Sequence, residues 1–111
     1  MILLKRGFVK NKVLEFAGPG VSGLSMDYRI GIDVMTTETA CLSSIWQTDD
    51  KVKAYYETIG RPDDFKVLAP EDGAYYDSVV KIDLSKVENM IALPFHPSIA
   101  YTIHDLQARP A

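Results

Sequence analysis

The chain has 111 residues, 47% apolar and 24% charged, with a formal net charge of −3. That composition excludes a disordered chain and provides for one modest core, hence a single domain over residues 1–111. The slight acidity and the lack of a basic block exclude nucleic acid and anionic membrane as expected partners.

The apolar runs are about four or five residues long, too short to span a bilayer. The start, "MILLKR", places its charge after the apolar run and is not read as a signal peptide. Cys41 is the one cysteine, so no internal disulfide can form, and a cytoplasmic location is expected. Residues 1–7 read as the end of a helix that lacks its beginning: Met1, Ile2, Leu3 and Leu4 are apolar and uncapped, and Gly7 stops them. Val13 to Phe16 is predicted as a strand, bounded by Lys12 and a glycine turn. Ser22 is expected to cap a helix running to Val34. Met26, Ile30 and Val34 then share an inner face, with Asp27 and Arg29 outside.

A second strand is predicted over Ser43 to Gln47. Thr48 is the expected N-cap of the next helix, with Asp49 and Asp50 in its first turn. Val52, Tyr55, Tyr56 and Ile59 give an amphipathic stripe, closed by Gly60 with Pro62 beyond. Residues 61–77 read as a polar connection. Val79 to Leu84 alternates with Val80, Ile82 and Leu84 on one face and is predicted as a strand. Residues 85–111, with Pro94, Pro97 and Pro110, read as irregular chain, ending in a tail over 105–111. The whole is α/β, with a small, mainly parallel sheet flanked by helices.

Gly18, Gly20 and Gly23 form G-x-G-x-x-G after a predicted strand, the pattern of a nucleotide-binding turn. Such a site also wants an acid at the end of the next strand. Here Glu38 precedes that strand, and Asp49 and Asp50 begin a helix. A glycine-permitted strand-to-helix turn is the preferred reading, with nucleotide binding as an alternative.

Glu38, in "TTETA", lies between elements among threonines that can donate hydrogen bonds to it; a solvated loop acid is the plainer alternative. His96 and His104 lack a second ligand at metal spacing and are read as surface or packing residues. Cys41 is read as packing, and without C-x-x-C the chain holds no iron–sulfur cluster or structural zinc by itself. Ser43 and Ser44 have no histidine near them in sequence. Tyr55 and Tyr56 suit a helix core, and base stacking at these or at Tyr75 and Tyr76 would want basic neighbours. Glu71, Asp72 and Asp77 form a solvated acidic turn without calcium-loop spacing.

Three stretches together resemble the aconitase superfamily. "LEFAGPGV" is similar to the family's strand entering a helix. "LSMDYRIGIDVMTTE" resembles the dehydratase segment "LSMEGRMTVCNMSIE". "YYDSVVKIDLSKVENMIALPFHPS" is similar to a later family segment. The resemblance covers residues 12 to about 104, and the spacing from Gly20 to Glu38 holds as well as the residue types.

The resemblance implies a piece of a hydro-lyase that hydrates or dehydrates a 2-hydroxy di- or tricarboxylate, truncated on its N-terminal side and inactive alone. It implies a [4Fe-4S] cluster in the longer parent, none of it bound by this chain. It also implies the parent's remaining domains and a small carboxylate as partners. Glu38 matches the family glutamate that pairs with a catalytic histidine from another domain. Val34 stands where the family has asparagine, which keeps open a non-catalytic domain acting in binding or assembly. The missing neighbours predict exposed apolar surface and self-association.

Overall fold

A computed structural model describes residues 7–95 and 99–109. The predicted helix remnant over 1–7, apart from Gly7, lies outside these residues, as do His96 and the last two residues of the tail. The order of elements is β1 (Val13–Phe16), α1 (Pro19–Ser22), α2 (Met26–Met35), β2 (Ser43–Trp46), α3 (Asp50–Thr58), β3 (Met90–Ala92), β4 (Ala100–Thr102) and α4 (Ile103–Gln107). Short 3-10 turns lie at Thr37–Thr39, Pro62–Asp64 and Leu84–Lys86. The class is α/β, as expected from the sequence.

β1 and β2 pair in parallel, Val13 against Ser43 through Phe16 against Trp46. The helices between them form the crossover that a parallel pair requires. Leu14, Phe16, Ser44 and Trp46 share the half-buried face, while Val13, Glu15, Ser43 and Ile45 face outward. Phe16 and Trp46 stack with ring centroids 4.2 Å apart, a contact worth roughly 1 kcal/mol beyond its buried area.

The glycine turn behaves as a strand-to-helix turn. Gly18 has φ 106 and ψ 173, a conformation essentially reserved for glycine. Pro19 then opens α1, where its missing N–H costs nothing. A Cβ on Gly20 would stand 3.0 Å from Leu84 Cδ1, so the turn at Leu84–Lys86 approaches through the space glycine leaves. Gly23 has ordinary helical angles, and nothing in its surroundings demands glycine.

Several details correct the sequence reading. The helix expected from Ser22 is α2, which begins at Met26; Ser22 ends the short α1, and Ser25 caps α2 by accepting from the Tyr28 N–H at 3.2 Å. Arg29, placed outside by the periodicity, is 3% exposed, whereas Val34, placed inside, is 63% exposed. Asp49, rather than Thr48, caps α3, accepting from the N–H groups of Lys51 and Val52. Thr48 instead pairs with Leu68.

The stripe of α3 packs in part. Val52 is buried, Tyr55 and Tyr56 are half-buried, and Ile59 is exposed. Tyr56 meets Phe65 edge-on at 6.5 Å, so this tyrosine pair serves packing. Gly60, at φ 74, ends the helix as expected.

The C-terminal half departs more. Val79 to Leu84 forms no strand: its alternation is real, but no neighbouring strand among the described residues supplies a ladder. Residues 85–109 are not irregular throughout. β3 and β4 pair antiparallel, Met90 against Thr102 through Ala92 against Ala100. α4 follows, capped by Thr102 Oγ1 accepting from the Asp105 N–H at 3.0 Å.

Only Val9, Val21 and Val52 are buried apolar residues among those described. The radius of gyration is 16.3 Å, against about 13 Å for a compact chain of this length. The accessible surface is 8805 Å², against roughly 6,100 Å² for a compact monomer of this mass.

Candidate functional site

Glu38 occupies the middle of the 3-10 turn that carries the end of α2 into β2. The turn lies before β2, at the opposite end of the parallel pair from the glycine turn. It is held by a dense set of backbone bonds. Thr36 O accepts from the N–H of Thr39 at 3.1 Å and of Cys41 at 3.4 Å. Ala40 takes a left-handed conformation, φ 59, and its carbonyl accepts from the Asn11 N–H at 2.9 Å.

The threonines do not serve Glu38 as the sequence led one to expect. Thr36 Oγ1 donates to Asp33 O at 2.7 Å, Thr37 Oγ1 to Val34 O at 2.9 Å, and Thr39 Oγ1 to Thr36 O at 2.6 Å. Thr39 Oγ1 also lies 2.9 Å from Cys41 Sγ. The Glu38 carboxylate is exposed and makes no hydrogen bond or ion pair among the described residues. Local sequence therefore spends the hydroxyls on the turn and leaves the acid as the turn's uncommitted group.

Along one face of α2 runs a polar network that the periodicity missed. Arg29 meets Asp49 with both terminal nitrogens, at 3.1 and 2.6 Å, and its Nε donates to Leu24 O at 3.2 Å. The Arg29 guanidinium holds the Asp49 carboxyl below its ordinary value of 3.8, helped by the capped N–H groups and opposed by burial. One turn on, Asp33 Oδ1 accepts from Ser44 Oγ and from Trp46 Nε1. The signal was present in the sequence: Met26, Arg29 and Asp33 fall at i, i+3 and i+7, one helix face. Polar members kept that face from being read as the inner one.

The glycine turn is closed in on by the chain itself. The Gly18 N–H donates to Gln47 Oε1 at 3.2 Å, and α1, which begins there, has only four residues.

A cavity of about 350 Å³ lies on the outer face of the sheet, between Glu15, Ile45 and Gln47 and the arch of residues 68–76. Tyr76 OH donates to Glu15 Oε1 at 2.8 Å, which pushes the tyrosine pKa up. Glu15, Glu71 and Asp72 line the cavity with no lysine, arginine or histidine, so its field opposes a carboxylate ligand.

His104 lies exposed in the first turn of α4. Among the described residues no three His, Cys, Asp or Glu side chains come together as a metal site. With Cys41 the only thiol, the donor set does not fit an iron–sulfur cluster held by this chain. No helix among these residues is long and apolar enough to cross a membrane.

Residues 2–111 match the family model described as Aconitase family (aconitate hydratase). The chain is 32% identical over 96 residues to the 3-isopropylmalate dehydratase large subunit of Elusimicrobium minutum (strain Pei191). That match covers 86% of this chain and 23% of the relative. It is 36% identical over 94 residues to the 2,3-dimethylmalate dehydratase large subunit of Eubacterium barkeri, covering 85% and 22% respectively. It is 31% identical over 114 aligned residues to the mitochondrial homoaconitase of Debaryomyces hansenii, covering 88% and 16%. The chain thus spans less than a quarter of the length of these relatives. With the match running from residue 2 to the last residue, the chain belongs to the aconitase family.

Proposed function

We propose that this chain is the part of an aconitase-type hydro-lyase that presents Glu38 to a histidine supplied by the rest of a longer parent. The observation that carries this is the exposed, uncommitted Glu38 carboxylate on a firmly bonded turn, within a segment that matches the family throughout. A carboxylate held in this way accepts the N–H of an imidazole, fixes its tautomer and raises its basicity. The parent hydrates or dehydrates a 2-hydroxy di- or tricarboxylate. A [4Fe-4S] cluster, held by the parent's other domains, would supply Lewis acidity to that reaction.

This chain's own contribution is limited. It has one cysteine, and the cavity beside Glu15 is lined by acids, which supports the reading that in isolation it is inactive. Its exposed apolar side chains dock the parent's remaining domains, or associate with one another when those are missing. The parent works in the cytoplasm. As two of the relatives are named large subunits, assembly with a smaller subunit belongs to the same reading.

The test is the full-length gene product, assayed for iron and for turnover of 2-hydroxy acids. Glu38→Gln should lower kcat by about 10²-fold or more with KM little changed, the scale of a lost acid–base partner. Full activity in that variant, or turnover by the 111 residues alone, overturns the proposal.

A second reading, a non-catalytic domain for binding or assembly, is favoured by Val34, exposed where the family places asparagine. A parent lacking the cluster cysteines would support it. Nucleotide binding through Gly18, Gly20 and Gly23 finds the first amide already bonded to Gln47. A titration of NAD that gives a saturable signal would revive it.

A further inference from the structure

We propose that Asp33 is a positioning residue that ties the Glu38 turn to the sheet, an inference that rests on the reading of Glu38 above. Asp33 lies in the last turn of α2, half-buried, with its Oδ1 accepting from Ser44 Oγ and, at 2.9 Å, from Trp46 Nε1. Both donors belong to β2 and lie on its half-buried face, where Trp46 is itself fixed by stacking on Phe16. A carboxylate near a helix C-terminus opposes the helix dipole. Helix electrostatics therefore does not account for an aspartate here, and the two sheet donors do.

The bond path to Glu38 is continuous. Asp33 O accepts from the Thr36 N–H at 3.0 Å and from Thr36 Oγ1 at 2.7 Å. Thr36 O in turn accepts from the Thr39 N–H, Thr39 Oγ1 and the Cys41 N–H. Glu38 sits between Thr36 and Thr39, so its backbone is held through bonds that lead back to the Asp33 anchor. The anchor fixes where an otherwise unattached acid stands, which is the condition for it to meet a group brought from elsewhere.

The test uses the 111-residue chain with backbone and indole N–H signals followed by NMR. Asp33→Leu removes the acceptor and Asp33→Asn keeps a carbonyl acceptor. In Asp33→Leu the Trp46 indole signal should move, and exchange of the Thr39, Ala40 and Cys41 amides should rise on the order of tenfold. The amides of α3 should exchange as before, and Asp33→Asn should restore both readouts. Should Asp33→Leu fail to fold, Ser44→Ala and Trp46→Phe each remove a single donor and should give the same local pattern in weaker form.

Unchanged exchange at residues 39–41, or an equal rise throughout α3, overturns the proposal. In the parent, Asp33→Leu should lower kcat at constant KM, with rescue by Asp33→Asn. If the exchange result holds while Glu38→Gln leaves the parent fully active, the reading of Glu38 falls and the anchor stands.

Discussion

The two halves of the chain are held by different means. Residues 13–58 contain a parallel strand pair, three helices and a polar network in which Arg29, Asp33 and Asp49 each engage a neighbouring element. Residues 69–95 cross the surface with most side chains exposed. They touch the first half at few places, among them the Tyr76–Glu15 bond and Leu84 beside Gly20. Both halves have strong apolar patterning in sequence. The difference teaches that patterning becomes structure only where a partner surface exists in the same chain.

Arg29→Leu should break the first half most severely. It leaves the Asp49 carboxylate without its guanidinium and should cost about 3 kcal/mol, at the low end for a buried pair because Asp49 keeps some solvent contact. Urea denaturation would measure it. The same pair sets an acid dependence. Because folding lowers the Asp49 pKa, its stabilisation is complete above the ordinary value of 3.8 and is lost as pH falls through the lower folded value. Denaturation midpoints recorded downward from pH 5 should show this loss in the native chain and a flatter profile in Arg29→Leu.

Gly18→Ala should come next. It forces a Cβ into a conformation reserved for glycine and should cost about 1–3 kcal/mol, read as a lower thermal midpoint. Val79→Ser and Ile82→Ser sharpen the comparison from the other side. These side chains are 82% and 61% exposed, so each change should stay within about 0.5 kcal/mol by urea denaturation of this chain. In the longer parent the same substitutions should cost more if its other domains cover the segment. Glu38→Gln, the smallest expected effect on stability, should leave the midpoint of the isolated chain where it was.

Much of the first half was legible in the sequence. Val13 to Phe16 and the strand from Ser43 emerged from short apolar runs between turn signals. The stripe of Val52, Tyr55 and Tyr56 gave α3, and Gly60 gave its end. Gly18 was legible as a turn glycine because its conformation is a local property. Glu38 was legible as a candidate because its spacing from Gly20 matches a family pattern.

Only the tertiary structure decided the rest. Ser25 was chosen over Ser22, and Asp49 over Thr48, because the cap is whichever oxygen reaches the free N–H groups once the chain has turned. Arg29 went inside and Val34 outside because Asp49 and Leu24 O satisfy the guanidinium there, whereas no described element covers Val34. Val79 to Leu84 kept its strand pattern without a strand, since a ladder needs a second backbone. Local periodicity is written in the sequence, but which face is buried depends on what arrives to cover it.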